Sequence, residues 1–182
     1  MSTDRPIRTV LPDTLTIIHR RKSVRNFTGE PVIGEHLDLL LKAGMAAPSA
    51  VNCQPWEFIR VTRRETLDAL AEALPYAKMT YRAGAAIVVC GNSANAHKQL
   101  VEYAVLDSAL AAENILLAAE AIGLGAVWTA AYPYIDRMET VRSILAIPQN
   151  IIPLAVIPIG HPTGEDVPKE KFNPLKIHAE KW

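Results

Sequence analysis

The chain is poor in cysteine: Cys53 and Cys90 are the only two in 182 residues. They form no CxxC and no cluster with histidine. Ligands for an iron–sulfur cluster are therefore lacking, and no metal site is expected. One structural disulfide stays open as a reading, but two buried, reduced thiols in a reducing cytosol is the expectation. Excess charge of either sign is also lacking, since Lys+Arg and Asp+Glu both number 19. No global field draws nucleic acid or a membrane surface, so neither is expected as a partner. No long hydrophobic run occurs. The most apolar stretch, residues 104–125, is interrupted by Asp107, Glu113, Asn114 and Glu120. It suits a buried helix rather than a membrane span. Residues 1–6 are polar, and no apolar segment with a cleavage signature follows. That argues against a secretion signal and for a cytoplasmic location. Repeats, low-complexity tracts and Pro/Gly/Ser-rich linkers are absent too. With 49% hydrophobic residues, the whole chain, 1–182, reads as one domain with a sizeable core.

What is present alternates between helical and extended patterns. Asp13 is a candidate cap for a helix through Leu15, Ile17 and Ile18 to about Arg21. After Pro31, Leu37, Leu40, Leu41 and Met45 fall at helical spacing, and this helix ends before Pro48. Residues 56–61 read as a strand. Thr62-x-x-Glu65 predicts a capped helix through Leu67, Leu70 and Leu74. Residues 85–90 are a continuous apolar run and predict a buried strand. Residues 99–122 predict a long helix, apolar on most faces, that needs covering in a core or at a subunit interface, with Gly123 as its C-cap. A short strand over 126–129 follows. Asp136-x-x-Glu139 then opens a helix through Val141, Ile144 and Leu145, stopped by Pro148. The apolar strand over 152–159 contains Pro153 and Pro158, which favours its ends or an edge position. The polar tail after Gly160 carries Phe172, Ile177 and Trp182, and such a tail is expected to pack on something.

Four constellations carry candidate chemistry. Arg20-Arg21-Lys22-Ser23-Val24-Arg25 puts four cations and a hydroxyl within six residues. Forked guanidinium donors match phosphate oxygens, and a doubly ionisable phosphate needs about that much compensation. A solvated basic turn is the competing reading. In Ala47-Pro48-Ser49-Ala50-Val51-Asn52-Cys53-Gln54-Pro55-Trp56, two prolines stiffen a loop. Asn52 and Gln54 offer the amide donors and acceptors that a ring with alternating carbonyls and N–H groups would use. A purely structural connection is equally open there. Gly123-Leu124-Gly125-Ala126-Val127-Trp128-Thr129-Ala130-Ala131 supplies small residues that let a flat ring approach the backbone, although GLG is not the GxGxxG dinucleotide fingerprint. Finally, Gly160-His161-Pro162 is followed by Lys169 and Lys171, two apart on an extended segment and so on one side of it, either to complete a phosphate site begun by the Arg cluster or, the favoured reading in isolation, as two solvated surface lysines.

Taken in this order, R-K-S-V-R, A-P-S-A-V-N-x-Q-P-W, G-L-G-A-V-W-T-A-A and I-P-I-G-H-P with P-K-E-K resemble the nitroreductase family, from about Arg20 to the C-terminus. The closing I-H-A-E-K-W is similar to tails of short members. The resemblance implies an α+β fold: a three-layer α/β/α sandwich with a mainly antiparallel sheet, in an intertwined homodimer whose C-terminal tails pack on the partner subunit. It implies FMN as cofactor and NADH or NADPH as reductant. Arg21 and Ser23 would hold the FMN phosphate, with Lys22 giving backbone contacts and Lys169 and Lys171 completing the site. Arg25 would lie by the pyrimidine edge, where a cation stabilises the charge of reduced flavin. Pro48, Ser49, Ala50, Asn52 and Gln54 would contact FMN from the partner subunit. Thr129, Ala130 and Ala131 match the segment whose backbone N–H reaches flavin N5. Two departures are visible. Ala130-Ala131 stands where some relatives have an acidic residue and glycine. Lys78 lies nearest to a basic position found in some relatives before the 85–90 strand, in surroundings that match poorly.

The implied activity is two half-reactions in one slot, hydride from NADH or NADPH and then reduction of a nitroaromatic, quinone or similar acceptor. No side-chain nucleophile or general acid is required, so no catalytic residue is assigned. Ser49 lacks a base and Cys53 a histidine partner, which leaves hydrolase readings weak. Two alternatives remain: dehalogenation or flavin fragmentation on the same scaffold, or an FMN-binding dimer without turnover.

Overall fold

The computed structural model describes residues 12–182. The polar stretch 1–6, read as carrying no secretion signal, lies outside the described residues. The elements in chain order are α1 (Thr14–Arg20), α2 (Gly34–Met45), β1 (Trp56–Val61), α3 (Arg64–Ala73), β2 (Ala85–Asn92), α4 (Val101–Ile122), β3 (Gly125–Ala126), β4 (Thr129–Ala130), α5 (Ile135–Leu145) and β5 (Ile151–Gly160). The fold is α+β. A wholly antiparallel sheet in the order β1-β2-β5-β3, with β4 also on β5, lies between two helical layers.

Period-two alternation along β2 divides the core. Ala85, Ile87 and Val89 face α2 and α4, where they meet Leu37, Leu40, Ala112 and Ile115. Ala86, Val88 and Cys90 face α3 and α5, where they meet Leu67, Leu70 and Val141. Leu37, Leu40, Leu67 and Leu70 are fully buried, and each such side chain stabilises the fold by roughly 1.5–3 kcal/mol through lost apolar exposure. Among the described residues no helix is long and apolar enough to cross a membrane.

The expected cap at Asp13 forms: its carboxylate accepts from Thr16 N–H at 3.0 Å. Gly123 ends α4 in the left-handed region at φ 84°. Neither capping box forms. α3 is capped by Arg63 and α5 by Tyr134, both without a side-chain cap bond. Glu65 and Asp136 instead sit inside the first turn, where a negative charge favours the helix dipole. α4 begins two residues later than its apolar pattern, because Lys98 and Gln99 have positive φ (53° and 55°), which helical backbone excludes.

β5 is central rather than an edge strand, and its two prolines show how that is tolerated. Pro153 lies at a register shift between Val89 and Cys90 of β2, a bulge where a ladder bond is already lost. Pro158 accepts from Val127 N–H at 3.4 Å but has no N–H to return. The ladder therefore breaks there, and the strand expected over 126–129 appears as β3 and β4, both on β5 in one unbroken register. Both cysteines are free. Cys90 is buried, whereas Cys53 is only partly so, because it follows a 3-10 turn at the surface.

Candidate functional site

The basic turn lies along the open edge of the sheet. Val24 N–H donates to the Ala126 carbonyl at 3.0 Å, and Val24 packs so closely on Gly125 that a Cβ there would meet Val24 Cγ1 at 2.5 Å. Arg21, Lys22, Ser23 and Arg25 line a cavity of about 320 Å³ with Lys169 and Lys171, so two stretches nearly 150 residues apart in sequence converge. Glu165, Asp166 and Val167 complete its wall. A second chamber of about 670 Å³ shares Arg21, Lys169 and Lys171 and reaches Glu113 and Phe172.

Acidic residues on α4 hold the turn from beneath. Arg21 Nε is 3.3 Å from Glu113 Oε1, and Lys22 Nζ is 3.0 Å from Glu120 Oε2, with Arg20 Nε at 3.9 Å from the same carboxylate. Glu113 and Glu120 are seven residues apart, two helical turns or about 10 Å, and so lie on one face. Lys22 thus commits its ammonium to α4 and offers the cavity mainly its backbone. On the opposite wall, Asp166 Oδ2 accepts from the N–H groups of Arg25 and Asn26 at 3.0 and 3.1 Å. Glu170 accepts from Phe172 and Lys171 N–H at 2.8 and 2.9 Å, and these bonds hold its carboxyl below the usual range.

The segment Thr129-Ala130-Ala131 lies further along the same sheet edge. Val127 and Ala131 N–H both point at β5, the latter donating to Leu154 at 3.0 Å, while the Ala126 carbonyl faces the basic turn. Alternation then turns the Ala130 N–H to the open edge, about 13 Å along the strand from Ala126. The Thr129 hydroxyl donates to the Val156 carbonyl and Ala131 N–H to Leu154, so both are already committed to β5. Lys78 is elsewhere, paired with Glu72 at 2.9 Å.

The Pro48 loop does not reach this cavity within the chain. Pro48, Ser49 and Ala50 line a different, apolar groove of about 560 Å³ with Tyr103, Leu106, Asp107 and Leu110 of α4. Ala50 N–H donates to the buried Asp107 carboxylate (3.2 and 3.3 Å), and Gln54 N–H to Ser49 Oγ (2.9 Å). Val51, Asn52 and Gln54 all have positive φ (46°, 61° and 52°). Asn52 and Gln54 are exposed, and Gln54 Nε2 donates to Asn52 Oδ1 at 2.9 Å. Each amide therefore keeps further donors or acceptors for a ligand.

Asp107, Glu113, Glu120 and Asp166 were not anticipated as site residues. The signal for Asp107 and Glu120 was present: carboxylates buried in an otherwise apolar helix need partners, and these partners are the loop and the basic turn, whereas Glu113 is exposed. Nothing local marks Asp166.

The Nitroreductase family model matches residues 18–77 and 71–161. The chain belongs to the nitroreductase family. It is 42% identical over 170 residues to a candidate NADH dehydrogenase/NAD(P)H nitroreductase from Methanothermobacter thermautotrophicus, covering 93% of this chain and 88% of that protein. Among solved structures, a candidate NADH dehydrogenase/NAD(P)H nitroreductase from Parabacteroides distasonis superposes with a TM-score of 0.88 at 50% identity, covering 93% of this chain and 98% of that one. An FMN-dependent nitroreductase from Clostridium difficile matches at TM-score 0.84 and 25% identity, covering 92% and 99%. These likenesses make the nitroreductase-family chain an oxidoreductase by fold and by descent.

Proposed function

We propose that this protein is an NAD(P)H-dependent FMN oxidoreductase that reduces nitroaromatics, quinones or similar acceptors in two alternating half-reactions, as a homodimer. The observation that carries the reading is the cavity in which Arg21, Ser23, Arg25, Lys169 and Lys171 converge beside the open edge that bears Ala130. Its side-chain donors outnumber its acceptors, which fits a phosphate dianion. Bound FMN would supply the hydride-accepting ring; the family neighbours named for NAD(P)H and FMN support that assignment.

The chain's own residues supply position and charge. Arg21 and Ser23 hold the phosphate end, and the two lysines close it. Ala130 N–H offers a backbone donor at the ring end. The Pro48–Gln54 loop belongs to the partner's site, because in its own chain it stands at Asp107, six residues or about 9 Å along α4 from Glu113. Leu106 and Leu110, 60% and 46% exposed on α4, and the exposed Phe172, Leu175, Ile177 and Trp182 of the tail form the apolar surface that the dimer covers. The whole chain acts as one domain, its tail on the partner subunit, in the cytoplasm.

The test is an absorption spectrum of the purified protein. The reading expects yellow protein that NADH or NADPH bleaches and a quinone recolours. Flavin that stays oxidised under excess of both nucleotides contradicts it.

A further inference from the structure

We infer that Asp166 is a positioning residue that pins the lysine-bearing strap to the basic turn and so sets the affinity of the phosphate cavity; this rests on the functional reading above. Two acidic residues line a cavity otherwise rich in cations. A carboxylate beside a phosphate site repels the ligand, so its presence there calls for a compensating task. Asp166 has a defined task. Its Oδ2 alone accepts three bonds, from Arg25 N–H (3.0 Å), Asn26 N–H (3.1 Å) and Asn26 Nδ2 (3.4 Å). Two successive backbone N–H groups aimed at one oxygen form an anion-binding concavity, and here the chain fills it with its own side chain.

The bond completes a zipper between two distant segments. Thr28 N–H donates to His161 O and Thr163 N–H to Asn26 O, each at 3.0 Å, and Phe27 bridges Pro162. Asp166 is the outermost tooth. Beyond it the strap to Lys171 is exposed. Lys169 and Lys171 line the cavity, and among the described residues the last hydrogen bond from the strap to the turn before them is made by Asp166. Without it, holding two long cationic side chains over the cavity costs conformational entropy on every binding event.

Pinning and simple electrostatics predict opposite signs, which makes the inference testable. The full-length chain, stripped of flavin, is titrated with FMN by fluorescence quenching. Asp166→Ala removes a negative charge from the cavity; the pin predicts that affinity nevertheless falls at least tenfold. Asp166→Asn keeps an oxygen that accepts the same donors, and it should bind within threefold of the parent or more tightly. In a Lys169→Ala/Lys171→Ala background, Asp166→Ala should change affinity less than twofold, because the groups it positions are gone. Trypsin cleavage after Lys169 and Lys171 in the flavin-free protein should accelerate in Asp166→Ala and return in Asp166→Asn. Equal or tighter FMN binding by Asp166→Ala, or an undiminished loss in the lysine-free background, overturns the inference. A parent that binds no FMN sinks the functional reading instead, and the trypsin rates then decide the pin alone: unchanged rates overturn it.

Discussion

At the basic turn, residues far apart in one chain close on each other. Glu113 and Glu120 brace Arg21 and Lys22 from α4, Val24 is sewn to β3, and Asp166 ties the lysine strap across the opening. At the Pro48–Gln54 loop the same chain stops short. The loop is anchored at its base by Asp107 and Ser49, holds three non-glycine residues at positive φ, and presents two amides and an apolar groove to solvent. Both regions stand on α4, yet the first is enclosed by residues distant in sequence and the second is open to solvent. Backbone held in the left-handed region costs of order 1 kcal/mol or more per residue, which the bonds from Ala50 N–H to Asp107 and from Gln54 N–H to Ser49 Oγ offset in part. A dimer, as proposed above, accounts for the difference by setting the loop of one protomer against the cavity of the other.

Arg21→Ala removes the cation central to the enclosed region. It should weaken FMN binding by about 2–5 kcal/mol, roughly 30- to 4,000-fold, in a flavin titration. Leu106→Asp with Leu110→Asp attacks the open side. It should destabilise the dimer by at least about 2 kcal/mol, seen as monomer by sedimentation, and flavin binding should fall with it although no cavity residue has changed. Gly125→Ala forces a Cβ into Val24 at 2.5 Å. It should cost about 1–3 kcal/mol in denaturant unfolding and loosen the basic turn. Val51→Gly relieves the φ of 46° at a β-branched residue. It should raise stability by about 1 kcal/mol while lowering flavin affinity, if the loop's shape serves binding. The mildest probe is alkylation of the native thiols near pH 8. Cys90, whose thiol burial pushes up to about 12, should stay unmodified in the folded protein and react once it is unfolded.

Much of this was legible in the chain, and the exceptions share a cause. Strand 56–61 and the caps at Asp13 and Gly123 were set by local chemistry, and the structure agrees. The cavity could be anticipated because cations cluster in sequence on both sides of it. Positions settled by distant neighbours could not. Pro153 and Pro158 argue locally for an edge, yet β5 is central, because a bulge at Leu154 in β5 itself and a ladder break between β3 and β4 absorb the missing donors. Thr62 and Asp136 have capping-box spacing, but α3 starts after Arg63 and α5 after Tyr134, one residue later and two residues earlier than that spacing implies. The strap's Asp166 finds its partners 140 and 141 residues away, a distance no local pattern reports.

The central claim is that each flavin is gripped by cations of one protomer and the loop of the other. Heterodimers of Arg21→Ala with Asn52→Ala/Gln54→Ala test it most directly. If the site spans two chains, one of the two sites in such a heterodimer joins intact cations to an intact loop, and the account predicts one tightly bound FMN per heterodimer although each parent variant binds weakly. No tight FMN in the heterodimer contradicts it, because both sites are then built within single, damaged chains.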